Sequence, residues 1–173
     1  RGAARVVNVQ RPDTDVAETV TNLWVELAEE QRCVGSHLRA VENRDTIGDN
    51  VRRAIVADGL YVAVATADDD FDAEPDTVLG FVMFNAGKEL LATTATRGTI
   101  ENLYVRPEYR DRGISAELMT TAEEKLAARG VDAMKLEVLA ENEAARRFYR
   151  RHGYDPHRVQ LEKPVESDNH SKG

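Results

Sequence analysis

The sequence predicts an α/β domain built on a mixed sheet with helices over both faces, and three observations predict it. Residues 60–66 (LYVAVAT) and 77–84 (TVLGFVMF) are apolar at successive positions, the pattern of central strands covered on both sides. Apolar residues recur three or four apart at Val16, Val20, Leu23 and Leu27, and every four at Ile114, Leu118, Ala122 and Leu126, the repeat of helices with one buried face. From residue 99 onward strands and helices alternate, which interleaves sheet and helix in one layered domain.

In chain order, residues 5–10 (RVVNVQ) read as an opening strand closed by Pro12. A helix follows, with Asp13 or Thr14 as its cap and Trp24 in the core. After a loop around Gly35, a second helix covers 45–58 and stops at Gly59. The two central strands are separated by an acidic loop of Asp68, Asp69, Asp70, Asp72, Glu74 and Asp76 around Pro75. A strand over 99–105 ends at Pro107, and the helix bearing Ile114 closes at Gly130. Met134, Leu136 and Val138 alternate with Lys135 and Glu137 as a strand. Ala145, Phe148, Tyr149 and His152 return to helical spacing until Gly153. A last strand is expected within 154–163, and 164–173 reads as a disordered polar tail. With no internal repeat and no linker, residues 1–163 are expected to form one domain, which the length of 173 residues suits.

Composition excludes several classes. The chain carries 31 acidic against 23 basic residues, a net charge of −8, where a nucleic-acid binder should show a basic stripe. The acids are scattered, so a solvated surface explains them more simply than the alternative, a field that attracts a cationic substrate. The acidic loop lacks the glycine and ligand spacing of an EF-hand, and neither His152 nor His157 has a partner at a metal-like spacing, so no metal is expected. No run approaches the roughly 18 apolar residues of a membrane span, and residues 1–35 show no signal-peptide pattern. The expected location is therefore the cytoplasm, with no membrane partner. Cys33 is the sole cysteine, which rules out an intramolecular disulfide, and no basic cluster surrounds it to activate the thiol.

Residues 104–119 (YVRPEYRDRGISAELM) carry the most chemistry. A strand enters a turn of Arg110, Asp111, Arg112, Gly113, Ile114 and Ser115, and a helix starts at once. The first N–H groups of a helix have no internal partner and lie at the positive end of its dipole. A turn with glycine at closest approach can aim several of them at one pyrophosphate, and Arg110 and Arg112 bring positive charge suited to phosphate oxygens. No Gly-Lys-Ser/Thr follows, so this is not a Walker loop, nor is it a Gly-x-Gly-x-x-Gly dinucleotide turn.

The turn resembles the acyl-CoA pyrophosphate loop of the GNAT N-acetyltransferases, Arg/Gln-x-x-Gly-x-Gly/Ala, with Arg110 and Gly113 in the first two fixed places and Ser115 where the family has glycine or alanine. The preceding residues 100–105 (IENLYV) are similar to the family's fourth strand. A second block, Asn142, Ala145, Phe148, Tyr149, Gly153 and Tyr154, is similar to the family's Asn-x-x-Ala-x-x-Phe-Tyr-x-x-x-Gly-Phe/Tyr pattern. The two blocks cover residues 99–154, with one helix and one strand between them, and the earlier elements agree in order.

The resemblance implies a GNAT-type sheet, mixed and mostly antiparallel, and acetyl-CoA as cosubstrate. It implies direct attack of a primary amine on the bound thioester. By the same resemblance the backbone of Leu103, Tyr104 and Val105 pairs with the pantetheine amides, and the pyrophosphate sits on the turn of Arg110, Asp111, Arg112, Gly113, Ile114 and Ser115. Asn142 bonds the pantetheine, Ala145 leaves room for the cosubstrate, and the Tyr149 hydroxyl stands near the sulfur as the acid for the leaving thiolate. Glu101 is the candidate base, with Glu137 in reserve, and a backbone N–H of 103–105 is the oxyanion donor. The acceptor is a small-molecule amine or a peptide amine. The alternatives are a protein N-terminal or lysine acetyltransferase, or a silent acyl-CoA-binding regulatory module. The oligomeric state, a homodimer included, is left open.

Overall fold

The computed structural model describes residues 7–87 and 93–165. Residues 5 and 6 of the expected first strand and residues 166–173 of the expected tail lie outside the described residues. Two compact units divide the chain, Arg1–Asn142 and Glu143–Gly173.

The first unit holds a sheet whose strands lie in sequence order: β1 (Asn8–Gln10), β2 (Leu60–Val64), β3 (Val78–Asn85), β4 (Arg97–Val105) and β5 (Ala133–Leu136). The first four pair antiparallel, and β5 runs parallel to β4. That reversal of sense needs a crossover, which α3 (Ile114–Ala128) supplies. The remaining helices of this unit are α1 (Ala17–Arg32) and α2 (Arg44–Val56). The sheet is therefore mixed and mostly antiparallel, as the sequence leads one to expect.

Every residue of β2 is buried, and so is all of β3 except Asn85, because both faces are covered. Leu60, Val62 and Val64 join Phe81 and Met83 in one cluster with Val20, Leu23 and Trp24 of α1 and Val51 and Ile55 of α2. The alternate positions face α3: Tyr61 stacks on Phe84 with centroids 6.0 Å apart and lies under the Lys125 ammonium at 5.3 Å. The α3 residues Ile114, Leu118, Ala122 and Leu126 are all buried, which is the four-residue repeat of the sequence turned into packing. Gly80 lets β3 and β4 meet, since a Cβ there would stand 2.4 Å from the Tyr104 carbonyl oxygen.

Two local expectations change. Asp13 does not cap α1 with its side chain, because a 3-10 turn over Thr14–Val16 intervenes, and Asp13 accepts the Val16 N–H at 3.2 Å with its backbone carbonyl. The chain reverses after α2 at Asp58, in left-handed backbone with φ 58°, one residue before Gly59. The Tyr61 hydroxyl donates to the Asp58 carboxylate at 2.5 Å, and Arg11 and Arg129 each approach it at 3.5 Å.

The second unit contains α4 (Glu143–Arg151), on which Phe148 meets Tyr149 edge-on at 5.4 Å and His152 at 4.2 Å. Residues 154–165 form no strand, contrary to the expectation for 154–163. The alternating apolar residues there, Val159 and Leu161, are 76% and 88% exposed, and a segment with no paired neighbour is not a stable strand by itself.

Candidate active site at the end of strand β4

The ladder between β4 and β5 is short. It runs from Arg97 and Ala133 to Ile100 and Leu136 and stops, while β4 continues to Val105 paired only with β3. Among the described residues, the other edge of β4 from Glu101 onward is therefore left by its neighbour strand. The Arg106 N–H bonds the Leu79 carbonyl at 2.9 Å on the β3 side. Backbone groups alternate along a strand, so those of Leu103 and Val105 point to the open edge. Tyr104, between them, faces β3.

The same strand carries a bulge at Glu101. Met83 pairs with Asn102 and Phe84 with Ile100, leaving Glu101 as the extra residue of β4. Such a bulge breaks the alternation and re-aims a side chain. The Asn85 side-chain amide donates to one oxygen of the Glu101 carboxylate. Glu101 is exposed by surface area, yet enough protein crowds the carboxyl that desolvation raises its pKa above the ordinary glutamate value.

Beyond β4 the chain makes a 3-10 turn at Pro107–Tyr109 and then the turn into α3. Asp111 and Gly113 are both left-handed, with φ 62° and 85°. Gly113 is the N-cap of α3 and offers no side-chain acceptor, and the first helical bond is Glu117 N–H to the Gly113 carbonyl at 3.2 Å. The N–H groups of Ile114, Ser115 and Ala116 therefore sit in the first turn with no helical carbonyl to bond. Among the described residues, and apart from its own chain neighbours, no atom comes within 4 Å of the position a Gly113 Cβ would take. An uncapped helix start beside open space is what an anion such as a pyrophosphate fits.

Both arginines of the turn have protein partners. The Arg110 Nε donates to the Val105 carbonyl at 2.8 Å, and its Nη2 donates to both Glu30 oxygens at 2.8 and 3.0 Å. Its guanidinium lies 5.3 Å over the Tyr104 ring. Burial pushes the Glu30 pKa up, but hydrogen bonds from Arg110 and Tyr104 and the Arg110 charge outweigh it and hold the carboxyl below its usual value. Arg112 donates from Nη1 to the Asp70 carbonyl at 3.2 Å and lies 5.5 Å over the Phe71 ring. Phe71 is buried and meets Tyr109 edge-on at 6.1 Å. The acidic loop is thus an ordered neighbour of the turn: the Asp69 carboxylate accepts the N–H groups of Thr66 and Phe71. Glu30, Phe71, Tyr109 and Asn85 are the residues that sequence reasoning missed.

Asn142 ends the first unit, and its N–H bonds the Leu139 carbonyl at 3.0 Å. Glu137 follows the last residue of β5. In the second unit, Ala145 and Tyr149 stand four apart on α4, on one side of the helix. Tyr149 lies 6.1 Å from Tyr154, and burial pushes its phenol up to about 12.

The model of the acetyltransferase (GNAT) family matches residues 20–154, and the chain belongs to that family. Similar solved structures share the fold at low identity. A mutant of the BH1408 protein from Bacillus halodurans superposes with a TM-score of 0.75 at 20% identity, covering 92% of this chain and 99% of that one. A GCN5-related N-acetyltransferase from Ralstonia eutropha JMP134 gives 0.65 at 24% identity, covering 92% and 99%. AAC(6')-Iy in complex with the bisubstrate analogue CoA-S-monomethyl-acetylneamine gives 0.61 at 16% identity, covering 93% and 99%. No described helix is long and apolar enough to cross a membrane.

Proposed function

We propose that the chain is an acetyl-CoA-dependent N-acetyltransferase that acts on a small cationic primary amine by direct attack. The observation that carries the reading is the uncapped start of α3 at the end of a β4 edge that β5 has left. Family membership supports it, as does the CoA-containing bisubstrate analogue bound to AAC(6')-Iy. The N–H groups of residues 113–116 would hold the pyrophosphate, and the open-edge groups of Leu103 with the Val105 N–H would hold the pantetheine, the Val105 carbonyl being taken by Arg110. When bound, acetyl-CoA supplies a thioester carbonyl as the electrophile.

Three tasks fall to the residues of this chain. Glu101, re-aimed by the bulge, takes the proton from the acceptor ammonium directly or through water, a role that its upward pKa shift favours. A backbone N–H at the open edge of β4 donates to the developing oxyanion. Tyr149, with a phenol at about 12, keeps its proton at neutral pH and donates it to the departing sulfur. Its role rests on its place in the motif from Asn142 to Tyr154. The acetylneamine part of the analogue bound to AAC(6')-Iy supports an amine as acceptor, and the net charge of −8 agrees with a cationic one.

The test is turnover of acetyl-CoA against polyamines, amino acids, aminoglycosides and N-terminal peptides. Activity with small amines is expected. Activity restricted to peptides moves the reading to protein acetylation. CoA binding without turnover on any amine makes the chain a binding module.

A further inference from the structure

The turn that opens α3 is costly backbone. Asp111 is a left-handed residue with a side chain, and Gly113 follows it two positions later with φ 85°. Left-handed backbone is disfavoured for a residue with a Cβ, so contacts outside the turn help to hold it. The tightest of them come from α1. Glu30, 80 positions earlier in sequence, accepts from Arg110 with both carboxylate oxygens. Arg110 in turn bonds the Val105 carbonyl, so one guanidinium joins the last residue of β4, the first residue of the turn and α1.

We infer that Glu30 is a positioning residue for the coenzyme pyrophosphate. By drawing Arg110 back against Tyr104 and the end of β4, it fixes the left-handed turn so that the N–H groups of residues 113–116 converge. It does not touch the phosphates. The inference rests on reading the turn as the pyrophosphate site, and it assigns Arg110 a scaffold role in place of a direct phosphate contact. The ion pair is two-fifths exposed, with side-chain exposures of 40% for Arg110 and 43% for Glu30. Its loss should therefore disturb the turn without unfolding the domain.

The experiment compares the wild type with Glu30→Ala and Glu30→Gln by calorimetry with CoA and by amide hydrogen exchange of the ligand-free proteins. In Glu30→Ala the CoA affinity should fall about three- to tenfold, the range open to a partly exposed charged contact. Exchange at amides 111–115 should accelerate while amides of β2 and β3 keep their protection. Glu30→Gln, which keeps an acceptor oxygen for Arg110, should recover part of both effects, and it carries the test if the alanine variant does not fold. Unchanged exchange at 111–115 would overturn the inference. So would equal or tighter CoA binding by Glu30→Ala, which would mean that Glu30 restrains an arginine that otherwise grips the phosphates. If the wild type binds no CoA, the pyrophosphate reading fails, and the exchange data alone still decide whether Glu30 orders the turn.

Discussion

Asn85 on β3 donates its side-chain amide to the Glu101 carboxylate at the bulge of β4, so the candidate base is held by the neighbouring strand. Desolvation raises the Glu101 pKa, and the base must be ionised to act. The rate should therefore rise through an acidic limb whose midpoint lies above the ordinary glutamate value. Glu101→Gln should abolish that limb and lower kcat about 10²-fold, near the lower end for general base catalysis. A pH profile of kcat/KM on both proteins checks it.

The same shift makes a stability statement. A group with a raised folded pKa contributes stability below its unfolded pKa and loses it as pH rises through the folded value. Glu101→Gln should accordingly gain thermal midpoint relative to the wild type at pH 7 and lose that advantage near pH 4. Melting curves at the two pH values decide it.

Gly113 tests the anion site by conformation. With φ 85° and, among the described residues beyond its chain neighbours, no atom within 4 Å of a would-be Cβ, a side chain here strains the backbone and enters the open space where the proposed pyrophosphate would sit. Gly113→Val should weaken CoA binding at least about tenfold in calorimetry, as expected where backbone N–H groups hold the phosphates. Ser115→Gly should bind at least as tightly as the wild type. Equal affinity of Gly113→Val and wild type would remove the pyrophosphate from this turn.

The parts legible in the sequence are those decided by local pattern. The runs that became β2 and β3, the four-residue repeat of α3 and the turn at Gly113 need only their own residues to be recognised. The partners that hold the turn are different. Glu30 lies in an acidic stretch of α1 with nothing to mark it, and Arg110 reaches it across 80 positions. The bulge at Glu101 is a matter of register between two strands, which neither strand states alone. The strand expected within 154–163 failed for the converse reason. Alternation at Val159 and Leu161 says that a segment can pair, and pairing also needs an edge and a covering layer.

If the acidic surface draws a cationic acceptor, kcat/KM for that amine should fall as ionic strength screens the field over about 8–10 Å near physiological salt. The KM for acetyl-CoA, an anion, should move little or improve over the same range. Flat or rising amine turnover up to molar salt would assign the excess of acids to solvation instead.

Tyr149 supplies the last test. The family motif places it one helical turn after Ala145, and burial holds its phenol at about 12, so the proton is present throughout the neutral range. Tyr149→Phe removes one oxygen and keeps the ring that meets Phe148 at 5.4 Å and Tyr154 at 6.1 Å. Folding and CoA affinity should therefore stay close to wild type. If the hydroxyl protonates the departing sulfur, kcat and kcat/KM should both fall by about 10²–10⁴-fold, the range of a general acid lost from the transition state. Because a phenol at about 12 does not titrate near neutrality, the wild type should show no alkaline limb attributable to Tyr149 below pH 10 or so. A donor ester with a better leaving thiol needs less help from an acid, so the defect of Tyr149→Phe should shrink with an activated thioester. Full turnover by Tyr149→Phe with acetyl-CoA and a saturating amine would leave Tyr149 as a packing residue of α4.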